Sequence, residues 1–429
     1  MDRLTNTVRP YAWGSTTAIP ELLGTAPTGE PQAELWMGAH PGAPSRIDRG
    51  AGPVPLNEAI DADPLAELGE PAVLRFGPRL PFLFKILAAG APLSLQVHPD
   101  LAQARAGFAD EEARGIPVDA PHRNYKDANH KPEAIVALTP FDGLCGFRHP
   151  AEAAELLEAL GVDSLKPYAD ILRARPETDA LREVLAAVLT ADRDAMAETV
   201  DEAAQAAARL AEQDGPHAAD FAAYATTAHS FPGDPGVIAA MLLNHVTLQP
   251  GEALYLGAGV PHAYLDGLGV EIMANSDNVL RCGLTPKHVD VPELLRVVRF
   301  EATDPGVLRP EVSSNGEEVY ETPIDEFRLS RYVLAPGGEA RTPDARTPQI
   351  LLCTDGAALL RSPHGELTLE RGESAFVPAG ERVELTCPGS IAGGIGGIGG
   401  TGGSGAGSTA GSTTGSTTGG TVFRATVVA

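Results

Sequence analysis

The sequence has few cysteines, few lysines and little positive charge for its length. Four cysteines in 429 residues (Cys145, Cys282, Cys353 and Cys387) show no paired spacing, which argues against a disulfide framework or a thiolate metal site. Acidic residues outnumber Lys and Arg by 57 to 32, a formal net charge of −25, so no basic surplus exists for binding nucleic acid. A small anion can still bind where a few cations share one cleft. We therefore expect a reducing, cytoplasmic setting and a small-molecule partner.

Long hydrophobic runs are also absent. No stretch approaches the roughly 20 apolar residues of a membrane helix, and the first residues, MDRLTNTVRPYAWGS, contain no apolar signal segment. We expect no membrane contact. A monomer is expected, with an oligomer left open.

Only five of the 32 basic residues are lysines: Lys85, Lys126, Lys131, Lys166 and Lys287. A lysine ammonium is compact and flexible, unlike the planar guanidinium that this sequence otherwise uses. All but Lys166 fall in the motifs described below, which indicates a functional use. Chance clustering is the alternative.

Glycine and proline are abundant, with 47 and 37 residues, which favours short strands joined by turns. From Thr7 to about Phe147, short apolar runs between Gly and Pro predict strands. From about Ala151 to His229 the sequence is rich in Ala, Leu and Glu. Strands are predicted again from near Val237, with a helix around Val291 to Val298. An amphipathic helix is predicted where five apolar residues follow helical spacing: Leu181, Val184, Leu185, Val188 and Leu189.

One structural unit occurs twice. GEALYLGAGVPH begins at Gly251 and GESAFVPAGERV begins at Gly372, an offset of 121 residues. Each copy predicts a strand, a turn and a second strand, so we expect two related β-barrels. His262 of the first copy corresponds to Val383 of the second, so only the first copy has a metal-ligating side chain there.

The fold class is therefore mainly β with a helical insertion. We expect a metal-binding barrel from residues 1–148 and 230–310, an α-helical domain from 149–229 and a non-metal barrel from 311–429. The Gly/Ser/Thr-rich run at 388–420 cannot pack a core and predicts a long loop. TVFRATVVA after it predicts a last strand.

Gln96 and His98 are two residues apart in LSLQVHPD, so on a strand they point to the same face. Leu93, Leu95 and Val97 would fill the opposite, buried face. A carboxamide beside an imidazole inside a barrel is costly unless both ligate an ion or are fully hydrogen-bonded.

Two further motifs supply ligands. NYKDANHKPEAIVAL places Glu133 at the start of an apolar strand, and GVPHAYLDG places His262 in a strand. Two imidazoles, a carboxylate and a carboxamide oxygen make a four-ligand set for a divalent cation. That set suits zinc, although glutamine is an unusual zinc ligand and Mn, Co or Fe(II) also fits.

Several motifs together resemble one family. WGS, ELWMGAHP, LPFLFKIL, LSLQVHPD, NHKPE, GVPHAYL and SDNVLRCGLTPKHVDVPELL are similar, in order, to motifs of the class I mannose-6-phosphate isomerases. The resemblance covers roughly residues 7–148 and 236–300 and is weaker elsewhere. It implies two cupin-type (jelly-roll) barrels and a metal-dependent isomerase of mannose 6-phosphate and fructose 6-phosphate.

The resemblance also assigns residues. It implies that Gln96, His98, Glu133 and His262 bind one zinc ion per chain, with other divalent metals as alternatives. It implies that Arg281 is the active-site arginine. Residues implied in or near the sugar-phosphate pocket are Ser94, Lys131, Lys287, His130 and Glu271, with Trp13, Lys85, Tyr264 and Asp277 close by.

Aldose–ketose isomerisation moves a proton between C1 and C2 through an enediol, which requires a base and a means of stabilising charge on oxygen. Four residues are candidates for the base: Glu271, His130, Lys131 and Asp277. The alternative to a catalytic role for Glu271 is a structural ion pair with Arg281 or Lys131. The alternative to a catalytic role for Arg281 is a salt bridge with Glu271 or Asp277.

Two other function classes compete with the isomerase. One is a metal barrel that only binds a sugar, although plain sugar binding does not require the cations Lys131, Arg281 and Lys287. The other is an oxygenase with redox-active iron, which turnover without oxygen would exclude.

Overall fold

The structure is a computed structural model that describes residues 1–388 and 419–428. Most of the predicted Gly/Ser/Thr-rich loop lies outside these residues. No helix among the described residues is long and apolar enough to span a membrane.

Twenty-two strands and twelve α-helices make up the described part of the chain. The strands, in chain order, are β1 (Asp2–Arg3), β2 (Thr7–Arg9), β3 (Glu34–Met37), β4 (Arg46–Asp48), β5 (Pro53–Pro55), β6 (Phe82–Ala89), β7 (Leu95–Val97), β8 (Glu133–Ala137), β9 (Phe141–Phe147), β10 (Leu243–Leu248), β11 (Ala253–Leu256), β12 (His262–Ala274), β13 (Leu280–Gly283), β14 (Glu311–Val312), β15 (Glu318–Tyr320), β16 (Arg328–Leu334), β17 (Gln349–Asp355), β18 (Ala357–Ser362), β19 (Gly365–Glu370), β20 (Ser374–Val377), β21 (Glu384–Thr386) and β22 (Gly420–Thr426). The helices are α1 (Ala18–Leu22), α2 (Leu56–Ala62), α3 (Pro64–Leu68), α4 (Glu70–Phe76), α5 (Leu101–Ala113), α6 (Pro150–Ala159), α7 (Lys166–Ala174), α8 (Glu177–Thr190), α9 (Arg193–Ala211), α10 (Ala218–Ser230), α11 (Gly236–Met241) and α12 (Val291–Val297).

The first large sheet has ten strands, with the 13-residue β12 near its centre. The N-terminal part of β12 pairs with β7 and β9, and its C-terminal part pairs with β6 and β8. Because side chains alternate along a strand, β6 has two different faces. Phe82, Phe84 and Ile86 enter one apolar core, whereas Lys85 faces a cavity on the other side.

That apolar core joins the two large sheets. It contains Val270 and Ile272 of β12, and it contains Ile350, Phe376 and Phe423 from the second sheet. Its members are nearly all inaccessible to solvent, so the sheets bury their facing surfaces against each other.

The second large sheet has seven strands in the order β1-β20-β17-β22-β16-β15-β14. The predicted last strand is confirmed, because β22 pairs with both β16 and β17. The N-terminal strand β1 also joins this sheet, pairing with β20, and so does not belong to the ten-stranded sheet.

The internal repeat is confirmed in the backbone. Strand β11 begins two residues after Gly251 and β20 begins two residues after Gly372, with equal lengths. Four glycines at equivalent positions of the two copies have positive φ: Gly251 (90°), Gly259 (77°), Gly372 (85°) and Gly380 (85°).

The helical prediction between Ala151 and His229 is confirmed by α6 to α10. Within α8, Leu181, Val184, Leu185 and Val188 are buried, as the spacing predicted. They share a core with α11 and with Leu95 and Val97, so the helices pack against the strand that carries Gln96.

Two secondary-structure predictions were incomplete. The region from Thr7 to Phe147 contains five helices as well as strands. Strand structure also resumes at Leu243, since residues from Gly236 to Met241 form α11.

Candidate metal centre

Three buried side chains that could bind a metal ion converge where strands of the first sheet begin or end. His98 follows β7, Glu133 is the first residue of β8, and His262 is the first residue of β12. Each imidazole Nε2 lies 3.4 Å from Glu133 Oε2, and one ligand atom from each residue lies within 4.8 Å of the others.

The protonation state of these side chains fits a cation. His98 Nδ1 donates to the Asn278 carbonyl at 2.9 Å and His262 Nδ1 donates to the Val260 carbonyl at 2.9 Å, so each Nε2 presents a lone pair. Burial lowers the pKa of His98 to about 4, which keeps that ring neutral near pH 7. Neither Nε2 has a hydrogen-bond partner among the described residues.

Two lone pairs facing a carboxylate oxygen repel one another unless a cation lies between them. Burial opposes the charge of Glu133, but the neighbouring Lys131 ammonium holds the pKa of that carboxyl well below its usual value. The set therefore fits a divalent metal ion, and its chemistry is that of a zinc site with an open position.

Cross-strand pairing brings two more predicted residues beside this cluster. Gln96 on β7 is directly opposite His262 on β12 and also opposite Arg281 on β13. Directly opposed residues share a face of the sheet. His262, Gln96 and Arg281 therefore form a row across three strands.

Gln96 and Arg281 of this row line a cavity of about 710 Å³. Five predicted residues line it: Ser94, Gln96, Lys131, Arg281 and Lys287. Trp13, Lys85 and Asp277, predicted to be nearby, line it as well.

The cations of the cavity are of two kinds. Lys131 pairs with Glu133 at 2.8 Å. Arg281 and Lys287 form no ion pair with any described residue, and burial lowers the pKa of both. The partly buried Arg281 and the exposed Lys287, neither neutralised by a described carboxylate, make this end of the cavity suited to an anion.

A buried charged group forms part of the cavity wall. Lys85 forms ion pairs with Glu271 and, at 3.5 Å, with Glu34, and Tyr264 donates to Glu271 at 3.0 Å. Burial opposes the charge on Lys85, but the surrounding carboxylates raise its pKa. Together with Glu133 and Lys131, this group contains three carboxylates and two ammonium groups, so its formal net charge is one negative charge. A bound divalent cation would change that to one positive charge.

Some sequence expectations fail here. Glu271 pairs with Lys85, and not with Arg281 or Lys131. Among the described residues, Arg281 forms no salt bridge with Glu271 or Asp277. Asp277 instead lies 3.5 Å from His40.

His130 lies outside the metal cavity. It lines a separate pocket of about 270 Å³, and its Nε2 lies 2.5 Å from Glu326 Oε1. The structure therefore separates His130 from the other predicted pocket residues, although Lys131 is its neighbour in the chain.

Sequence reasoning missed three residues of the site. Glu34 accepts a hydrogen bond from Trp36 at 2.6 Å and both line the cavity; both lie in the quoted ELWMGAHP motif. The third, Asn278, supplies the carbonyl that orients His98. Asn278 lies in the quoted SDNVLRCGLTPK motif, and that motif is the sequence signal that could have identified it.

Comparison with known proteins agrees with this geometry. The family described as "Phosphomannose isomerase type I, catalytic domain" matches residues 1–150. Mannose-6-phosphate isomerase of Escherichia coli strain K12 is 42% identical over 385 residues, covering 89% of this chain and 95% of that protein. The chain belongs to the type I phosphomannose isomerase family. The rat mannose-6-phosphate isomerase is 33% identical, with 90% of this chain and 95% of the relative covered.

Solved structures extend the family match to the whole chain. A variant of the Salmonella typhimurium phosphomannose isomerase superposes with a TM-score of 0.84 at 38% identity, covering 100% of both chains. A zinc-bound mannose 6-phosphate isomerase gives 0.84 at 38% identity, covering 100% of this chain and 99% of the other. Family membership makes this chain an isomerase, and the buried His98, Glu133 and His262 cluster is where it could hold a metal ion.

Proposed function

We propose that this chain interconverts mannose 6-phosphate and fructose 6-phosphate with one zinc ion bound by Gln96, His98, Glu133 and His262. The observation that carries the proposal is the pair of buried imidazole Nε2 atoms that face Glu133 and have no hydrogen-bond partner among the described residues. Beside them is a cavity lined by two cations, Arg281 and Lys287, that form no ion pair in the described part of the chain. The family relatives named for this reaction support it.

The chain's own residues divide the work. Arg281 and Lys287 meet the negative charge of the substrate, either on the phosphate or on the oxygen that becomes negative in an enediol(ate). Ser94 and Lys131, which also line the cavity, contact the sugar. A divalent ion in this site supplies polarisation of a sugar oxygen. Lys131 is held next to the ligand Glu133, which couples sugar binding to metal binding.

The proton carrier is best sought among residues that face the cavity. Of the four candidates, Lys131 and Asp277 line it. Glu271 lies buried behind Lys85 with its pKa raised, chiefly by burial, and its proposed role is to hold Lys85 and Tyr264. His130 lines a different pocket, so we propose that it affects substrate binding only through its chain neighbour Lys131.

We also infer a domain arrangement. Residues 1–148 and 230–310 are proposed to form a cupin-type barrel with the metal site, 149–229 a helical domain, and 311–429 a second cupin-type barrel. In this proposal β1 crosses to the second barrel, as its pairing with β20 indicates. A monomer working in the cytoplasm is expected, and light scattering in solution tests the oligomeric state.

A coupled assay tests the proposed reaction. Enzyme stripped by a chelator and then supplied with Zn²⁺, Mn²⁺ or Co²⁺ is mixed with mannose 6-phosphate without oxygen, and fructose 6-phosphate is measured. We expect turnover only in the metal-supplied samples. Sugar binding without turnover would favour the binding protein, and turnover that requires oxygen would favour the oxygenase.

A further inference from the structure

Asn278 lies where three segments of the site meet. It is fully buried and stands between β12 and β13, three residues before Arg281. Its backbone carbonyl accepts the 2.9 Å hydrogen bond from His98 Nδ1. That bond sets the tautomer in which Nε2 is free to bind metal.

The side chain of Asn278 is committed to a different segment. Its Oδ1 accepts from the backbone N–H groups of Lys126 at 2.7 Å and Asp127 at 3.2 Å. Its Nδ2 donates to the backbone carbonyls of Asp127 at 2.7 Å and Asn129 at 2.8 Å. These four bonds fix the loop that leads directly into Lys131 and Glu133.

Ser276 reinforces the same attachment. Its buried hydroxyl donates to the Asn129 carbonyl at 3.1 Å and accepts from the Asn278 backbone N–H at 3.2 Å. The loop therefore has side-chain attachments to the segment that carries Arg281, and each of the Asn278 groups has a partner.

We propose that Asn278 is a positioning residue that holds three functional groups in one geometry: the His98 imidazole, the loop bearing Lys131 and Glu133, and the strand bearing Arg281. The inference rests on the proposed function. Outer hydrogen bonds that orient metal ligands are commonly worth ten- to a hundredfold in metal affinity or activity. Losing the attachment also lets Lys131 move away from the Arg281 side of the cavity.

Two variants test the inference, and a third serves as a matched control. Asn278→Ala removes the four bonds to the loop backbone and a further 3.4 Å bond to Asp127 Oδ1, and Ser276→Ala removes one bond. Asn244→Ala is the control, because Asn244 Nδ2 likewise donates to backbone carbonyls, those of residues 145, 146, 147 and 303, yet it does not line the metal cavity. For each variant the melting temperature, the zinc dissociation constant by chelator competition and steady-state kinetics at saturating zinc are measured.

We expect Asn278→Ala to weaken zinc binding roughly ten- to a hundredfold and to raise KM for mannose 6-phosphate even at saturating zinc. Ser276→Ala should shift both quantities in the same direction by less, and it carries the test if Asn278→Ala does not fold. Asn244→Ala should lower the melting temperature alone.

If the Asn278 and Ser276 variants behave like the control, Asn278 is merely structural and the inference is overturned. Wild-type protein that binds zinc but does not isomerise the sugar would instead refute the proposed function. The zinc dissociation constants of the variants would still show whether Asn278 positions the metal site.

Discussion

The two copies of the repeat share a backbone but differ in what they enclose. In both, a strand of equal length follows a glycine with positive φ, and a second such glycine forms the next turn. After that turn the first copy has His262 and continues into the 13-residue β12, whereas the second has Val383 and only the three-residue β21.

The interiors differ in the same way. Around His262 the first copy holds buried imidazoles and carboxylates. Around Val383 the second copy is filled by an apolar cluster, including Leu351, Leu360 and Leu385. The second copy shows that this unit folds with apolar side chains around the position equivalent to His262. The polar interior of the first copy is therefore a requirement of its chemistry, since buried polar groups are costly unless fully satisfied.

The largest expected effect comes from making the first copy resemble the second. His262→Val removes one ligand and leaves His98 and Glu133 with an incomplete site. Metal affinity should fall by at least a hundredfold, more than for the loss of an outer hydrogen bond, and isomerase activity should disappear. Elemental analysis and the coupled assay measure the two effects. Full metal occupancy in an inactive variant would refute the ligand assignment.

The reciprocal substitution is the control. Val383→His places an imidazole among leucines with no carboxylate beside it, so metal content should remain at one ion per chain. The chain should be less stable because a polar ring replaces a fully buried valine. A second bound ion in this variant would mean that the backbone of the repeat suffices to make a site.

Two arginines extend the comparison. Arg424 of the second sheet is buried and bonded to Glu317, Gln349 and the Asp344 carbonyl. Arg281 of the first sheet has no ion-pair partner among the described residues and faces the cavity. A guanidinium left unpaired in this way is available for substrate.

We therefore expect Arg281→Lys to change kinetics and not stability. If Arg281 stabilises charge that forms during proton transfer, kcat should fall by roughly a hundredfold or more with little change in KM. If it only grips the phosphate, KM should rise while kcat largely survives. A lower melting temperature with normal kinetics would contradict both roles, and calorimetry beside steady-state kinetics distinguishes the three.

The sequence predicted those parts of the structure that depend on local pattern. The buried face of α8, the strands of the repeat and the position of His262 at the start of β12 each follow from a short stretch of sequence. Cross-strand partners are not local, however. Nothing near Glu271 in the chain indicates that it pairs with Lys85, because that contact depends on the register of β12 against β6.

Two omissions have different causes. Helix α5 was missed although Asp100 and Gln103 form a capping box, a local pattern that was available. The separation of His130 from Lys131 was not predictable, because it depends on Glu326, which is 196 residues away.

A smaller effect is expected from the buried ion pair of the second sheet. Glu317→Ala leaves Arg424 buried without its carboxylate, which should cost about 3 kcal/mol of unfolding free energy, with kcat/KM unchanged. Burial opposes ionisation of Glu317, but Arg424 and Ser330 lower its pKa. Its stabilisation is therefore present above the unfolded pKa of about 4.3 and is lost as pH falls through the lower folded value. Urea unfolding should show wild type and variant converging at low pH, and equal stability at pH 7 would contradict the prediction.

The smallest effects concern the equivalent glycines Gly259 and Gly380. Alanine at either positive φ should cost about 1–2 kcal/mol. At Gly380 an added Cβ meets nothing within 4 Å, whereas at Gly259 it would lie 2.5 Å from Arg299 Cγ, so Gly259→Ala should be the less stable variant.

The Gly259 N–H also donates to the His98 carbonyl at 2.8 Å, so a shift of this turn would displace a proposed metal ligand. We expect Gly259→Ala to weaken zinc binding severalfold and Gly380→Ala to leave it unchanged, as measured by chelator competition. Equal zinc affinities in the two variants would mean that the turn of the first copy, like that of the second, serves only the fold.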